Sequence, residues 1–372
     1  MSKQSLKAEW QEMRKSAKPP NLTRKRTSDI TEPRVTLKTL AEHLHLTAGT
    51  ISAALNDSAA ARAIPEHTKR RIIEAARELN YKPNYFARSL RLQRTNTIGV
   101  ITQQIGDPYG SAIINGIEEY LRNSEYFFLT VIHRHDQRVL QNYSQMLLTR
   151  GVEGFITVDT SIKEQPALPT VAVAGHRHVP GVTNITIDHK VAARLALTHL
   201  LENGHREIAF LKGQKDSSDS GTRWLAICHV AKELGVRVRQ ELTVQIETDL
   251  ATPELGYPAA KVLLARKQHF TALFAYNDIS AIGAIQAFHE AGLRVPEDVS
   301  VVGFDDIPLA VIFKPELTTI CQPLLHMGHI AAKTIIDQIE KTAAYVPEIM
   351  IKPELIRRAS SGRVKKSVAP QK

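Results

Sequence analysis

Cysteine and aromatic residues are scarce in this chain. Its 372 residues include two cysteines, Cys228 and Cys321, and two tryptophans, and aromatic residues make up 6% of the total. So few cysteines exclude a disulfide scaffold and indicate a reducing compartment. Cys228 lies in an apolar helical pattern, and we interpret both cysteines as small buried side chains rather than metal ligands or nucleophiles.

Long hydrophobic runs and the common catalytic motifs are also missing. No apolar stretch approaches the roughly 20 residues of a membrane-spanning helix, and no signal peptide is visible. The sequence has no HExxH, GxxxxGK[ST] or GxSxG pattern, and its 15 histidines are scattered rather than clustered at ligand spacings. We therefore expect a cytoplasmic protein that is not an enzyme and uses no metal and no cofactor.

Positive charge is concentrated in the first quarter of the chain. Residues 1–94 hold 19 Lys and Arg against 9 Asp and Glu, whereas the rest of the chain holds 29 of each, for a net charge of +10. A local surplus of this kind favours a polyanionic partner, either nucleic acid or an anionic membrane surface. No basic amphipathic helix with bulky aromatics supports the membrane.

Residues 35–56, VTLKTLAEHLHLTAGTISAALN, predict two short helices joined by a tight turn. Apolar residues recur at helical spacing in the first half: Leu37, Leu40, Ala41 and Leu44. Thr47 is a candidate N-cap for the second helix. A third amphipathic segment would close the core with Ile72, Ile73, Ala76 and Leu79. This pattern is typical of a helix-turn-helix unit, although a small helical bundle without a nucleic-acid partner fits the same periodicity.

From Thr97 onward, apolar strand-like runs such as TIGVITQQ alternate with helical patterns such as GSAIINGIEEYLRNSEY. This alternation predicts parallel sheets with right-handed crossovers, whose ligands bind beyond the carboxyl ends of the strands. The segments at those ends are 107–109, 176–177, 217–223, 277–278 and 304–306.

A series of motifs runs through the chain in a fixed order: VTLKTLAEHL, TISAALN, ARELNYKPNYFARSLR, TIGVI followed by DPY, GHREIAFLKG, YNDISAIGA, EAGLRVPEDVSVVGFDD, PELTTICQP and PELIRRAS. Through these motifs the chain resembles the lactose-repressor and galactose-repressor family of bacterial transcription regulators, from about Val35 to Ser360. The resemblance implies an all-α helix-turn-helix headpiece followed by an α/β core. That core has two parallel-sheet subdomains, like the type I periplasmic sugar-binding proteins, and a small molecule bound between them alters DNA affinity.

Five segments follow from the residues and the resemblance together. They are a disordered basic arm at 1–33, the headpiece at 34–82, a hinge helix and linker at 83–96, the core at 97–360 and a flexible tail at 361–372. The tail has no leucine heptads, so we expect a homodimer rather than a tetramer. The dimer would bind a palindromic operator in double-stranded DNA and so associate with the nucleoid. A sugar-binding transport protein is the alternative, but it would need a secretion signal and has no use for a basic headpiece.

The resemblance implies DNA contacts from the headpiece and the hinge: Thr36, Leu37, Thr47, Ala48, Gly49, Thr50, Ser52, Asn56, Asn84, Arg88, Leu90 and Arg91. Ala48, Gly49 and Ala53 depart from the family, because they cannot make the bidentate base contacts common there. We therefore expect the hinge to carry more of the discrimination, with Leu90 of each subunit wedged into the minor groove. Packing of Leu90 on the headpiece or core is the alternative. A loop insertion carries Arg62, which fits a phosphate contact and a solvated surface charge equally well.

The resemblance implies effector contacts at Asp107, Tyr109, Arg177, Arg223, Asn277, Asp278 and Gln322. Arg223 and Asp278 are the strongest candidates, as a forked donor and an acceptor for a polyhydroxylated ligand. Asn277 could instead only orient the strand-to-helix turn, Arg177 could be a solvated loop charge, and Asp305 and Asp306 are typical of a turn and helix cap rather than a metal pair. A sugar is therefore expected, with a nucleobase-like or amino-acid-derived effector still open. His176 stands where the family often has an acidic residue, so the ligand's identity is not transferred.

Overall fold

The computed structural model describes residues 35–56, 58–82, 89–90, 92–175, 178–215, 217, 219–247 and 252–365. The chain divides into two units, Met1–Gln93 and Arg94–Lys372, so the boundary falls within the segment 83–96 that the sequence predicts to be a linker. Several predicted features lie outside the described residues: the arm at 1–33, Asn84, Arg88, Arg91, His176, Arg177 and the tail from residue 366.

Among the residues of the first unit that the structure describes, three helices pack together: α1 (Leu37–Leu44), α2 (Ala48–Leu55) and α3 (Glu66–Glu78). Thr36 begins α1 through a capping box with Thr39. His45 ends α1 in the left-handed conformation, with φ 53°, and its backbone N–H bonds back to the last turn. Thr47 then accepts the Thr50 N–H and begins α2. The predicted helix-turn-helix is confirmed.

One fully buried residue from each helix forms the centre of this unit: Leu40, Ile51 and Ile72. Ile73 was predicted on the same apolar face but is 40% exposed. That prediction is wrong, because one residue of helix turns the side chain by about 100° and only one of two adjacent isoleucines can face the core. The extra loop residues form a 3-10 helix, Ala59–Ala63, in which Ala61 is buried and Arg62 is exposed.

The second unit contains two six-stranded sheets. The strands are β1 (Thr97–Thr102), β2 (Phe127–Ile132), β3 (Gly154–Val158), β4 (Thr170–Val173), β5 (Val182–Ile187), β6 (Ile208–Lys212), β7 (Thr243–Gln245), β8 (Ala272–Phe274), β9 (Ser300–Asp305), β10 (Thr318–Cys321), β11 (Glu348–Ile351) and β12 (Glu354–Ile356). The first sheet has the order β11-β5-β4-β3-β1-β2 and is parallel throughout. The second has the order β12-β10-β9-β8-β6-β7, with β12 antiparallel to β10. The predicted pair of parallel-sheet subdomains is confirmed.

Helices cover both sheets: α4 (Pro108–Leu121), α5 (Gln137–Thr149), α6 (His189–Glu202), α7 (Ser220–Glu233), α8 (Tyr257–Ala265), α9 (Asp278–Glu290), α10 (Leu309–Ile312) and α11 (Leu324–Glu340). In the described part, the chain passes between the sheets after β5, after β10 and after β11. Thus α11, which follows a strand of the second sheet, packs on α4 of the first. This crossing needs Gly116, because a Cβ there would lie 2.0 Å from the Leu325 carbonyl oxygen.

The two adjacent isoleucines of α3 provide a matched test of the headpiece core. We expect Ile72→Ala to cost about 2–5 kcal/mol, because it leaves a cavity in a small core. Ile73→Ala should cost under about 1 kcal/mol, because that side chain is partly exposed. Hydrogen exchange of α1 and α2 peptides, followed by mass spectrometry, would measure both. Equal loss of protection in the two variants would contradict this assignment of the buried face.

Candidate functional site

The amino-terminal end of α2 is exposed. Thr47, Ala48 and Gly49 are exposed, and Thr50 is half-buried. The Thr47 hydroxyl accepts the Thr50 N–H at 3.1 Å and lies 2.9 Å from the Thr50 hydroxyl. Helix N-termini present unpaired N–H groups and a partial positive charge. This end therefore suits phosphate and base-edge acceptors, with short side chains that let the backbone approach closely.

Four other predicted DNA contacts occupy different positions in the first unit. Ser52 is 8% exposed, so it lies inside the fold rather than on the open face where the sequence placed it. Asn56 is exposed at the end of α2, where its Nδ2 donates to the Ser52 carbonyl at 2.7 Å. Thr36 is exposed within its capping box, whereas Leu37 packs partly against the helical core.

Leu90 is an exposed apolar side chain. It is 83% exposed, compared with 50% for Leu92 nearby. Keeping a leucine in water forgoes roughly 1.5–3 kcal/mol of burial free energy. Within its own unit, Leu90 is therefore not packed against the described helical core.

An open cleft lies at the carboxyl ends of the strands of both sheets, and its space, including solvent at the mouth, is about 700 Å³. It is lined by Thr102, Gln103, Gln104, Asp107, Tyr109, Gly110, His135, Val158, Asp159, Ala174, Gln214, Ser217, Asp219, Arg223, Leu255, Tyr276, Asn277 and Asp305. Most of these residues are polar, and the described lining contains two aromatic rings. The position is the one expected for a ligand site in parallel α/β sheets.

Arg223 in α7 is the organising residue of the cleft and is 4% exposed. Its Nη2 donates to the Asp219 carboxylate, and its Nη1 donates to the Tyr276 carbonyl oxygen at 2.6 Å. The guanidinium carbon lies 3.7 Å from the centre of the Phe304 ring. Burial acts to lower the pKa of Arg223, but Asp219, Tyr276 and Asp305 together more than offset this, so the pKa is raised and the group stays charged. The forked donor expected to face the ligand is therefore engaged within the protein.

Tyr276 extends this network into the cleft. Its hydroxyl donates to Asp219 Oδ1 at 2.9 Å and lies 2.7 Å from Ser217 Oγ. Burial, and then the charge of Asp219, raise the pKa of Tyr276 well above its ordinary value, so the phenol stays neutral. The ring lies against Gly213, where a Cβ would approach it to 2.2 Å. A larger residue at position 213 would displace the ring.

Tyr109 presents an unused polar group. Its hydroxyl is buried and has no hydrogen-bond partner among the described residues. Burial raises the pKa of Tyr109 well above its ordinary value, so this hydroxyl can both donate and accept. Buried polar atoms are nearly always paired, which makes this hydroxyl a candidate ligand contact. Nearby Asp107 begins α4, and its carboxylate accepts the Gly110 N–H at 2.9 Å.

Asp305 lies at the end of β9 with φ 114°, a strained conformation for a residue other than glycine. Gln322, at the crossover from β10 to α11, donates from Nε2 to Asp305 Oδ1 at 2.6 Å. Burial raises the pKa of Asp305 well above its ordinary value, although Arg223 opposes the shift. Gln322 is not part of the cleft lining. Through this hydrogen bond it positions Asp305 and connects the cleft to a crossover between the sheets.

The neighbouring Asn277 and Asp278 have separate positions. Asn277 lines the cleft, and its side chain caps α9 by accepting the Ser280 N–H at 2.9 Å. Asp278 is fully buried and accepts the Ile307 N–H at 2.9 Å and the Thr319 hydroxyl at 2.5 Å. Its carboxylate is thus used inside the second sheet and does not line the cleft. This corrects the expectation that Asp278 contacts the effector.

Sequence reasoning missed several lining residues: Gln103, His135, Asp159 and Tyr276. Each follows a strand closely, so the strand-end rule applied to every strand would have found them. Asp219, which also lines the cleft, lies within the segment 217–223 that the rule indicated. Within the described ranges, no group of three or more His, Cys, Asp and Glu residues is placed to hold a metal ion. No helix in the same ranges is long and apolar enough to cross a membrane.

Comparison with known proteins shows that this chain is similar to transcription regulators. A periplasmic binding protein-like domain matches residues 197–361. The HTH-type transcriptional repressor PurR of Erwinia tasmaniensis is 32% identical over 337 residues, which cover 87% of this chain and 96% of the relative. The HTH-type transcriptional repressor PurR of Haemophilus influenzae is 30% identical over 335 residues, which cover 87% of this chain and 98% of the relative.

Solved structures share the fold. The lac repressor dimer bound to operator and the anti-inducer ONPF matches with a TM-score of 0.78 at 23% identity, covering 88% of this chain and 99% of that chain. A LacI family transcriptional regulator from Enterococcus faecium with bound ribose matches with a TM-score of 0.63 at 25% identity, covering 72% of this chain and 100% of that chain. The shared architecture is a helical amino-terminal region and a core of two parallel sheets.

The buried carboxyl of Asp278 should make the stability of the core depend on pH. Burial raises its pKa from 3.8 to about 7, although the bonds from Thr319 and Ile307 oppose this. The unfolded carboxyl ionises first as pH rises, so the free energy of unfolding should fall between about pH 4 and pH 7, by on the order of 4 kcal/mol. Asp278→Asn keeps both hydrogen bonds by donating to Thr319 and should lose this dependence. Calorimetry from pH 4 to 8 would contradict the account if both proteins declined equally.

The two cleft tyrosines should respond to phenylalanine in opposite ways. Tyr109→Phe removes a hydroxyl that has no partner, so the ligand-free protein should keep its thermal stability or gain up to about 1 kcal/mol. Tyr276→Phe removes the partner of Asp219 and Ser217 and should cost about 1–3 kcal/mol. Thermal unfolding without small molecules would compare them. Equal destabilisation by the two changes would show that the Tyr109 hydroxyl is bonded in the ligand-free protein.

Proposed function

Because this chain belongs to the lactose-repressor and galactose-repressor family, and is a DNA-binding transcriptional repressor controlled by a small molecule rather than an enzyme, we propose how its two units act. The exposed end of α2 reads the major groove of a palindromic operator, and Leu90 wedges into the minor groove. A sugar bound in the cleft of the second unit changes the affinity for that operator. The protein acts as a homodimer in the bacterial cytoplasm, associated with the nucleoid when bound to DNA.

The exposed amino-terminal end of α2 is the observation that carries the DNA-binding part of this proposal. Thr47 and Thr50 supply hydroxyls, while Ala48 and Gly49 let the helix backbone come close to a base edge or phosphate. Short side chains of this kind give few of the bidentate contacts that discriminate bases strongly. Phosphate contacts from the basic first quarter then supply much of the affinity.

Leu90 is the second element that is proposed to recognise the operator. Its side chain is 83% exposed, so inserting it between bases costs the protein no packing of its own. Apolar wedges unstack a base step at a cost of roughly a few kcal/mol, which is recovered when the bent duplex touches more protein. Sequence-dependent deformability of the central step then contributes specificity at positions without base contacts. Asn84, Arg88 and Arg91 are proposed phosphate and groove contacts beside it.

The effector contacts that we propose are Tyr109, Asp305 and Asn277 in the cleft, with Arg223, Asp219 and Tyr276 forming its wall. Arg177 belongs to the proposed set from the family resemblance, and Gln322 acts by positioning Asp305. The lining offers carboxylate, amide and hydroxyl groups beside two tyrosine rings, a combination that suits the hydroxyls and apolar faces of a sugar. The bound ribose in the related Enterococcus faecium regulator supports this class.

The coupling between effector and DNA is proposed to run through the crossovers between the sheets. The Gln322 side chain links one crossover to Asp305 in the cleft, over 2.6 Å. A ligand that contacts Asp305 therefore acts on the segment that joins the two sheets. Couplings of this kind are typically about 1–3 kcal/mol, and they are reciprocal: operator DNA must change effector affinity by the same factor.

Operator binding by the full-length protein tests the proposal. We expect it to shift a palindromic fragment from its own genomic neighbourhood, with an affinity that falls steeply as salt rises. Leu90→Ala should weaken binding by roughly tenfold to a hundredfold, because it removes the wedge. Leu92→Ala is the matched control and should have little effect. Fluorescence anisotropy with labelled DNA at fixed salt would measure all three proteins.

Two results would count against it. If no fragment shifts, or if binding persists unchanged at high salt, the protein does not bind an operator through phosphate contacts. If Leu90→Ala and the natural chain bind with equal affinity, Leu90 is not inserted as a wedge. The headpiece alone then recognises the operator sequence.

A further inference from the structure

The carboxylate of Glu153 holds the start of the second unit, which begins at Arg94. Glu153 Oε2 accepts Arg94 Nε at 2.6 Å. Its Oε1 accepts the backbone N–H of Thr95 and, at 2.7 Å, that of Asn96. The Glu153 side chain is mostly buried, and hydrogen bonds to a carboxylate are roughly twice as strong as bonds between neutral groups. These bonds form a clamp on residues 94–96, and Arg94 follows Leu90 by four residues.

Arg94 also begins a relay that leads to the end of α11. Its Nη2 donates to the Tyr126 hydroxyl at 2.5 Å, and that hydroxyl donates to Glu340 Oε1 at 3.3 Å. The guanidinium carbon lies 6.0 Å from the centre of the Tyr126 ring. Burial raises the pKa of Tyr126 to about 12, so the hydroxyl keeps the proton that it donates. Glu340 is the last residue of α11, so one tyrosine connects this helix to the start of the second unit.

The other end of α11 is bonded to the cleft. Gln322, two residues before the helix, donates from Nε2 to Asp305 Oδ1 at 2.6 Å and from its backbone N–H to the Asp305 carbonyl oxygen at 3.4 Å. The Gln322 carbonyl oxygen accepts the Leu324 N–H at 2.7 Å. Asp305 belongs to the second sheet, whereas α11 packs on β3, β4 and α4 of the first. A movement of the second sheet that displaces Asp305 therefore acts on the start of α11.

The packing of α11 favours movement of the whole helix. It runs for 17 residues, which is about 25 Å at roughly 1.5 Å per residue. Its contact with α4 is close, because a Cβ at Gly328 would lie 2.1 Å from the Ile113 carbonyl oxygen. Met327, Ala331 and Ile335 are buried along its length. Closely packed interiors are hard to compress and transmit strain, so a displacement at one end of α11 reaches the other.

We propose that α11 couples the ligand cleft to the DNA-binding part of the chain, with Gln322 and Tyr126 as the positioning residues at its two ends. When a ligand shifts the second sheet, Gln322 displaces α11, and the relay carries this displacement to Arg94. The clamp on residues 94–96 passes it to the preceding residues, which include Leu90. The inference rests on the proposed function and deepens it by naming the residues that connect the two activities.

A double-substitution cycle on operator affinity tests this coupling without requiring the ligand. Tyr126→Phe removes the relay hydroxyl, and Gln322→Met removes the bond to Asp305 with a side chain of similar length. Fluorescence anisotropy with the palindromic fragment gives the dissociation constants of the full-length natural chain, both single variants and the double variant. We expect each single change to shift the dissociation constant in the same direction by at least about threefold.

The double variant distinguishes one shared connection from two separate effects. Breaking a connection at either end interrupts it completely, so the double variant should bind within about twofold of the single variants. Substitutions at distant, independent sites behave differently, because their fold-changes multiply to within about twofold.

Tyr257 provides a matched control away from α11. Its hydroxyl donates to Glu290 Oε2 at 2.5 Å, and Lys261 Nζ lies 5.3 Å from the centre of its ring. Tyr257→Phe therefore removes the same kind of bond from the surface between α8 and α9. Operator affinity should stay within about twofold, and the fold-change of Gln322→Met should be the same in this background.

Hydrogen exchange gives a second measurement that needs no DNA. The Thr95 and Asn96 amides bond to Glu153, so their exchange reports on the clamp. Tyr126→Phe and Gln322→Met should each speed this exchange several-fold, whereas Tyr257→Phe should leave it unchanged. Thermal unfolding of each variant would confirm that the fold is retained.

Three results would overturn the inference: fold-changes of Tyr126→Phe and Gln322→Met that multiply, a single change that leaves operator affinity unaltered, or exchange at residues 94–96 that ignores Gln322→Met. Failure of the proposed function has a different signature, because the natural chain would then bind no operator fragment. The exchange measurement would still decide whether α11 connects the cleft to Arg94.

Discussion

The buried ion pair between Arg223 and Asp219 is the interaction on which the ligand cleft depends. Burying either charge alone would cost several kcal/mol, so each residue requires the other. The pair also joins segments far apart in the chain, because Arg223 bonds to the Tyr276 backbone and packs on Phe304. Through Asp219 it holds the Tyr276 hydroxyl as well. The charges of Arg223 and Asp219 therefore hold the wall of the cleft in place before any ligand binds.

The distribution of charged residues also distinguishes the two units. The first quarter of the chain carries the basic surplus and the exposed, short-side-chained end of α2, features that suit a polyanion. Residues 95–372 carry equal numbers of acidic and basic residues. The charge that favours a polyanion therefore lies in the first quarter of the chain and not in the core.

Individual residues show how far sequence reasoning reaches. Helical spacing placed Leu40, Ile51 and Ile72 in the core correctly, but it could not choose between Ile72 and Ile73, because both fit a broad apolar face. The strand-end rule led to Asp107, Tyr109, Asn277 and Arg223 at the cleft. It could not tell that Asp278 turns into the second sheet, since adjacent residues at a helix start point in different directions.

By itself, the sequence determined the order of helical unit and two-sheet core, the family, and the concentration of positive charge in the first quarter of the chain. These follow from periodicity, composition and motif order, which are properties of the chain taken locally. Only the tertiary structure decided which polar groups are already paired. Arg223 is engaged within the protein, whereas the Tyr109 hydroxyl has no partner among the residues that the structure describes. That outcome depends on which groups distant segments of the chain bring together.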